Sequence, residues 1–172
     1  GRAYGSLGIA YGAQGEYRKA IEYHVEDLKI AQEIGHRSRE GDAYQNLGNA
    51  YNSLGDYRKA IEYYKKLLKI AQEIGDRSGE AAAYGRLGVT YRAQGDYRKA
   101  IEYHVKDLKI AQEIGDRSRE GNAHGNLGNA YNSLGDYRKA IKYYEKLLKI
   151  TQEIGQRSGE AAAYGRLGVA YG

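Results

Sequence analysis

The sequence Tyr-Arg-Lys-Ala-Ile occurs four times, beginning at Tyr17, Tyr57, Tyr97 and Tyr137. The spacing is 40 residues throughout. This regularity constrains the fold more than any single motif does. Fixed periods of about 20–50 residues mark stacked repeats, in which each unit buries its apolar face only against its neighbours. One unit alone would leave that face in water, and four exceed the roughly three usually needed.

Each unit reads as two helices. In residues 46–75 the second helix carries Tyr57, Ala60, Ile61, Tyr64, Leu67, Leu68, Ala71 and Ile74 at steps of three and four, which places them on one face. The first helix does the same with Tyr44, Leu47, Gly48 and Tyr51. Gly48 lies inside that pattern, where glycine costs about 1 kcal/mol against alanine. The compensation expected is close approach of the partner helix, with Ala60 opposite. The pattern predicts helices over residues 1–14, 16–34, 38–54, 56–74, 78–94, 96–114, 118–134, 136–154 and 158–171. These form one array over residues 1–172, with repeats at 1–40, 41–80, 81–120 and 121–160 and a partial repeat at 161–172. Gly35 is a suitable C-terminal cap. Asp76 or Ser78 can cap the helix that follows, with Glu80 complementing its dipole.

A second period, twice as long, lies over the first. Units 1 and 3 share Ala-Gln-Gly, His-Val and Asp at matched positions, including His24 and Asp27 against His104 and Asp107. Units 2 and 4 share Asn-Ser-Leu-Gly and Tyr-Tyr instead. Both ends fall inside a repeat, as expected of a piece of a longer array. The last helix leaves Tyr164, Leu167 and Tyr171 without a second helix. Uncapped repeat ends tend to stick, so head-to-tail self-association is the alternative role expected from the sequence.

Composition narrows the chemistry. With no Cys, thiolate metal sites, disulfides and Cys nucleophiles are excluded. Tyr is the only aromatic, with 19 copies, so it supplies the bulk of the core. No apolar run reaches the roughly 18 residues needed to span a bilayer, and no signal peptide is visible. The localisation expected is therefore intracellular, in the cytoplasm. The net charge of +5 is modest. Glu62 and Lys65 become Lys142 and Glu145 one double repeat later. That exchange reads as a solvated helix face on which the opposite-charge pair is kept, not as a basic stripe along nucleic acid. No phosphate-loop, dinucleotide, zinc-protease or serine-hydrolase motif occurs, so neither a cofactor nor an enzyme activity is expected.

The succession Tyr44, Leu47, Gly48, Tyr51, Ala60 and Tyr64 resembles the tetratricopeptide repeat, and the match recurs in register across the chain. Tyr stands where that family often has Trp. The proline that ends its 34-residue unit is missing, with Gln72 in its place. The longer second helix resembles the 40-residue repeats of Pins-type, Leu-Gly-Asn-enriched scaffold proteins and of kinesin light chains. The resemblance implies an all-α, right-handed α-solenoid of four repeats plus one terminal helix. It also implies a protein-interaction scaffold whose first helices line a concave groove for an extended peptide, often an acidic one.

Helical angle and the resemblance together select the groove residues. Gln45, Asn49 and Asn52 lie about a third of a turn from the buried stripe, and unit 4 repeats them as Gly125, Asn129 and Asn132. Amide side chains both donate and accept, so such a row can hold a peptide backbone. Contacts between adjacent helices are the competing reading. The other wall is formed by Gly85, Val89, Arg92 and Ala93, and Arg92 could fork onto a carboxylate. Arg86 and Arg166 stand one turn earlier, less clearly inward. Asn46 and Asn126 are expected to tie repeats together. His24 and Asp27, like His104 and Asp107, are expected to be hydrogen-bonded polar pairs at a repeat interface. A metal would need three or four ligands, and none is at hand locally. His36 and His124 are isolated and expected on the surface.

Overall fold

The computed structural model describes residues 2–171, with side chains described for residues 3–170. Among the described residues there are nine helices and no strand. They are α1 (Arg2–Ala13), α2 (Tyr17–Glu33), α3 (Arg37–Ser53), α4 (Tyr57–Ile74), α5 (Arg77–Ala93), α6 (Tyr97–Ile114), α7 (Arg117–Ser133), α8 (Tyr137–Glu153) and α9 (Arg157–Tyr171). The chain divides into two compact units, residues 1–83 and 84–172. In the first unit α1 packs on α2, α2 on α3, and α3 on α4; in the second α6 packs on α7, α7 on α8, and α8 on α9. Within each unit these helices thus bury themselves mainly against their sequence neighbours, the arrangement expected of stacked repeats.

The helix ends are fixed by side chains and glycine. Asp56, Asp96 and Asp136 accept the backbone N–H of Lys59, Lys99 and Lys139 at 3.1–3.2 Å. Asp76 accepts from Gly79 at 2.9 Å, which settles the choice of cap in its favour. His36 Nδ1 does the same for Arg39 at 3.3 Å. Gly75 closes α4 in the left-handed region at φ 71°, where a side chain would be strained.

The core of a repeat is small residues against large ones. Ala60, Tyr64, Leu67, Ile70 and Ala71 are buried on α4, and Tyr44, Leu47 and Ala50 on α3. What compensates Gly48 differs from the expectation. A Cβ there would stand 2.4 Å from Tyr64 Cε1, so the glycine admits a tyrosine ring, not Ala60. Gly128 holds the ring of Tyr144 in the same way, while Gly8 and Gly88 hold the imidazoles of His24 and His104. Ile74 lies at 44% exposure, outside the buried stripe.

A second set of contacts links successive repeats. Gln72, in the place of the missing proline, donates to Glu80 at 3.3 Å. Gln32 to Glu40 and Gln112 to Glu120 repeat the bond at 3.4 and 3.1 Å. Glu40, Glu80 and Glu120 are buried. Each also takes an arginine from its own first turn: Arg37, Arg77 and Arg117. These glutamates therefore join helices, beyond complementing a dipole.

Candidate peptide-binding surface

In the first unit, Gln45, Asn49 and Asn52 are half-buried on α3. Asn49 Oδ1 accepts a hydrogen bond from the Tyr64 hydroxyl at 2.9 Å. Asn49 and Asn46 also line a cleft of about 250 Å³ between α1, α2 and α3, with Ile9, Gly12, Tyr17 and His24. Asn46 therefore faces the same space as Asn49. One turn before Asn46 on α3, Asp42 is exposed, and burial together with the nearby charges of Asp27 and Asp76 raises its pKa.

In the second unit, Asn129 and Asn132 are half-buried on α7. Asn129 Oδ1 accepts from the Tyr144 hydroxyl at 3.0 Å. Gly125 is buried, and a Cβ there would stand 3.0 Å from Arg166 Nη1. Arg166 thus reaches across from α9 onto α7, a placement that its sequence position one turn from Asn129's equivalent did not reveal. Val89 is 36% exposed and Arg92 half-buried on α5. Gly85 sits over the carboxylate of Asp107, 2.7 Å from its Cβ position to Asp107 Oδ2. Neither Arg92 nor Arg166 is in an ion pair among the described residues.

The His–Asp pairs are not the hydrogen-bonded couples expected. Asp27 accepts from Arg39 Nε at 3.0 Å and also pairs with the Arg39 head, while Asp107 pairs with Arg119 at 3.4 Å. The carboxylates have turned to the next helix, where a permanently charged guanidinium outcompetes a neutral imidazole. His24 Nδ1 and both nitrogens of His104 are buried without a hydrogen-bond partner among the described residues. Burial drives the His104 pKa down to about 4. Burial pushes that of Asp107 up to about 6, despite the opposing charge of Arg119.

His124 is also buried, not on the surface. It occupies the place of Tyr44 and tilts against Tyr143 with ring centroids 5.8 Å apart. Its register, one double repeat on from Tyr44, was the available signal. Elsewhere each repeat stacks a tyrosine from its first helix on one from its second, as Tyr51 on Tyr63 at 5.4 Å and 7°. Lys59 lies over Tyr51 at 4.9 Å. Neither Glu62 with Lys65 nor Lys142 with Glu145 comes within ion-pair distance, so the pair expected on that face is not formed. Among the described residues no group of three His, Asp or Glu is placed to hold a metal. Among the described residues no helix is long and apolar enough to cross a membrane.

The sequence matches the family model described as tetratricopeptide repeat over residues 1–73, 39–113, 79–153 and 119–172. The chain belongs to the tetratricopeptide repeat family. Repeats of this family make protein-interaction scaffolds. No curated protein sequence matches the chain. Among solved structures it is similar to BtubC (BKLC) from P. vanneervenii, with 25% identity and a TM-score of 0.87 over 96% of this chain and 69% of that one. It also resembles a signal-transduction ATPase with numerous domains from Pyrococcus horikoshii, which has a tetratricopeptide repeat sensor. There the identity is 26% and the TM-score 0.89 over 98% of this chain, but only 26% of that one. A kinesin-light-chain-type protein of Podospora anserina with nearly identical repeats shares the fold, at 20% identity and a TM-score of 0.81 over 99% of this chain and 84% of that one. The all-α repeat class and the kinesin-light-chain likeness read from the sequence agree with these matches.

Proposed function

We propose that this tetratricopeptide repeat chain is a non-catalytic scaffold whose first helices bind an extended peptide with acidic residues. Gln45, Asn49 and Asn52 form the contact row in the first unit. Gly85, Val89, Arg92, Gly125, Asn129 and Asn132 form it in the second. The observation that carries this reading is Arg92, half-buried and outside any ion pair among the described residues. A guanidinium held partly out of water without an anion is poised for a forked carboxylate bond. Val89 beside it offers apolar contact. The reading assigns amides the role of holding backbone, with Asn49 and Asn129 pre-oriented by tyrosine hydroxyls.

Calorimetry with an acidic peptide tests this. An Asn49→Ala, Asn129→Ala chain that stays helical should bind at least about tenfold more weakly, a loss of about 1.4 kcal/mol. Unchanged affinity would remove the amide row from the binding surface.

A further inference from the structure

The second helix of every repeat carries a stripe of four charged positions at steps of three, four and three, which share one face. On α2, α4 and α6 the stripe mixes signs, with Glu22 and Glu26, Glu62, and Glu102 standing among the lysines. On α8 it reads Lys139, Lys142, Lys146 and Lys149 without interruption. All four lysines are exposed. They line a cleft of about 490 Å³ together with Glu145 and the stacked rings of Tyr131 and Tyr143. Four ammoniums thus share the cleft with one carboxylate.

These ammoniums are less engaged than their copies. Lys69 and Lys109 reach Glu73 and Glu113 at 3.9 and 4.0 Å. Neither Lys149, their copy on α8, nor Lys142 is in an ion pair among the described residues. Lys66 and Lys106 each lie over two tyrosine rings. Among the described residues Lys146 lies over Tyr143 alone, at 5.4 Å, where His124 replaces the other tyrosine. Lys139 keeps Asp136 at 2.9 Å and the ring of Tyr131 at 5.1 Å. Burial and the neighbouring Tyr131 raise the pKa of Tyr143, so its phenol keeps the proton that it can donate to an anion.

We propose that this cleft between α7 and α8 binds a small polyphosphate anion of three or more phosphates. One exposed ammonium holds a single charge only weakly, so a ligand gains here by meeting several at once. The lysine run extends about 15 Å along α8, at 1.5 Å per residue. No guanidinium lines the cleft, so nothing in it forks onto a planar carboxylate. Lysine acts on phosphate as a point charge, which suits an anion of high charge density. Lys142 decides the difference between repeats, since the other three have glutamate there. None of the residues assigned to the peptide row lines the cleft, so this site stands or falls apart from the groove reading.

Calorimetric titration of the full chain with sodium tripolyphosphate, at low and constant ionic strength, tests the site. One anion should bind per chain. Lys142→Glu restores the residue of the other three repeats, so the fold tolerates it, and it should weaken binding at least about tenfold, as expected for losing a charge-assisted contact. Lys109→Glu on α6 changes the net charge by the same amount and should leave the affinity within about twofold. Glu145→Gln should leave it equal or raise it. ATP in place of tripolyphosphate distinguishes a nucleotide from an inorganic source; equal or tighter binding of ATP satisfies the proposal, and so does binding of tripolyphosphate alone. Citrate is the carboxylate control. Equal binding of citrate overturns the proposal, and so does an equal loss in Lys109→Glu and Lys142→Glu, which would mark attraction to net charge only. No binding of tripolyphosphate or ATP by the parent chain overturns it as well.

Discussion

The Tyr64 hydroxyl donates to Asn49 Oδ1 at 2.9 Å, from the second helix of its repeat to the first. Tyr144 and Asn129 repeat the bond at 3.0 Å. Where the second helix carries His24 or His104 instead, the first helix carries Ile9 or Val89. An imidazole has no hydroxyl to donate there, and an apolar residue stands at the matched position of the first helix. The asparagines therefore have a structural reason to exist besides any ligand.

Tyr64→Phe removes that hydroxyl and keeps the ring on Gly48. The expected cost is about 1 kcal/mol, the worth of one hydrogen bond. Urea unfolding measures it. The same variant should weaken peptide binding less than Asn49→Ala does, because the amide itself remains.

Gly48→Ala should destabilise the chain although alanine is the better helix former by about 1 kcal/mol. Its Cβ would meet Tyr64 at 2.4 Å, and overpacking of this kind costs about 1–3 kcal/mol. Gly168→Ala is the contrasting case. A Cβ at Gly168 meets nothing within 4 Å, so the helix-propensity gain stands alone. Thermal unfolding should show opposite signs, and amide exchange should slow in α9 for the second variant.

Arg39→Ala should cost more than the double change Asp27→Asn, Arg39→Ala. The single change strands a buried carboxylate, a loss of about 3–5 kcal/mol when such a pair is broken. The double change leaves no charge behind. A double-mutant cycle in urea separates the two.

The pH dependence should come from His104 and Asp107 acting in opposite directions. The folded pKa of His104 is lowered to about 4, so the unfolded chain takes up that proton first as pH falls through the ordinary histidine range. Stability from this residue rises from pH 4 upward. The folded pKa of Asp107 is raised to about 6, so the folded chain holds the extra proton between the ordinary carboxylate range and pH 6. Stability from this residue falls as pH rises through that window. The two slopes offset each other. Asp107→Asn should uncover a rise in stability between pH 4 and 6.5, and His104→Gln a fall, both visible as melting temperature against pH.

The fold was legible because a 40-residue period and the steps of three and four fix helices and their buried faces together. Details set by side-chain reach were not. Gln72 could be seen to replace a proline, but its bond to Glu80 spans a turn that the helical pattern does not describe. Asp27 and His24 lie three apart on one face, so local spacing pairs them. Only the position of Arg39 on the next helix shows why they separate. His124 reads as a surface residue only when its identity outweighs its register, which is that of Tyr44 one double repeat earlier. At the candidate site helical angle and the family resemblance together point to the amide row and Arg92, which lie half-buried on α3, α7 and α5. Arg166 could not, because its reach onto α7 depends on Gly125 having no side chain. Tyr171, also expected without its usual partner, has a side chain outside the described residues.

The stacked tyrosines have an optical consequence. Tyr11 with Tyr23, Tyr51 with Tyr63, Tyr91 with Tyr103 and Tyr131 with Tyr143 lie 5.2–5.4 Å apart and within 8° of parallel. Neighbouring phenols in that geometry couple their electronic transitions, and the chain has no tryptophan to mask the signal. Near-ultraviolet dichroism therefore counts intact hairpins. An array that frays from one end should lose this signal in steps, and one that melts as a whole should lose it at once.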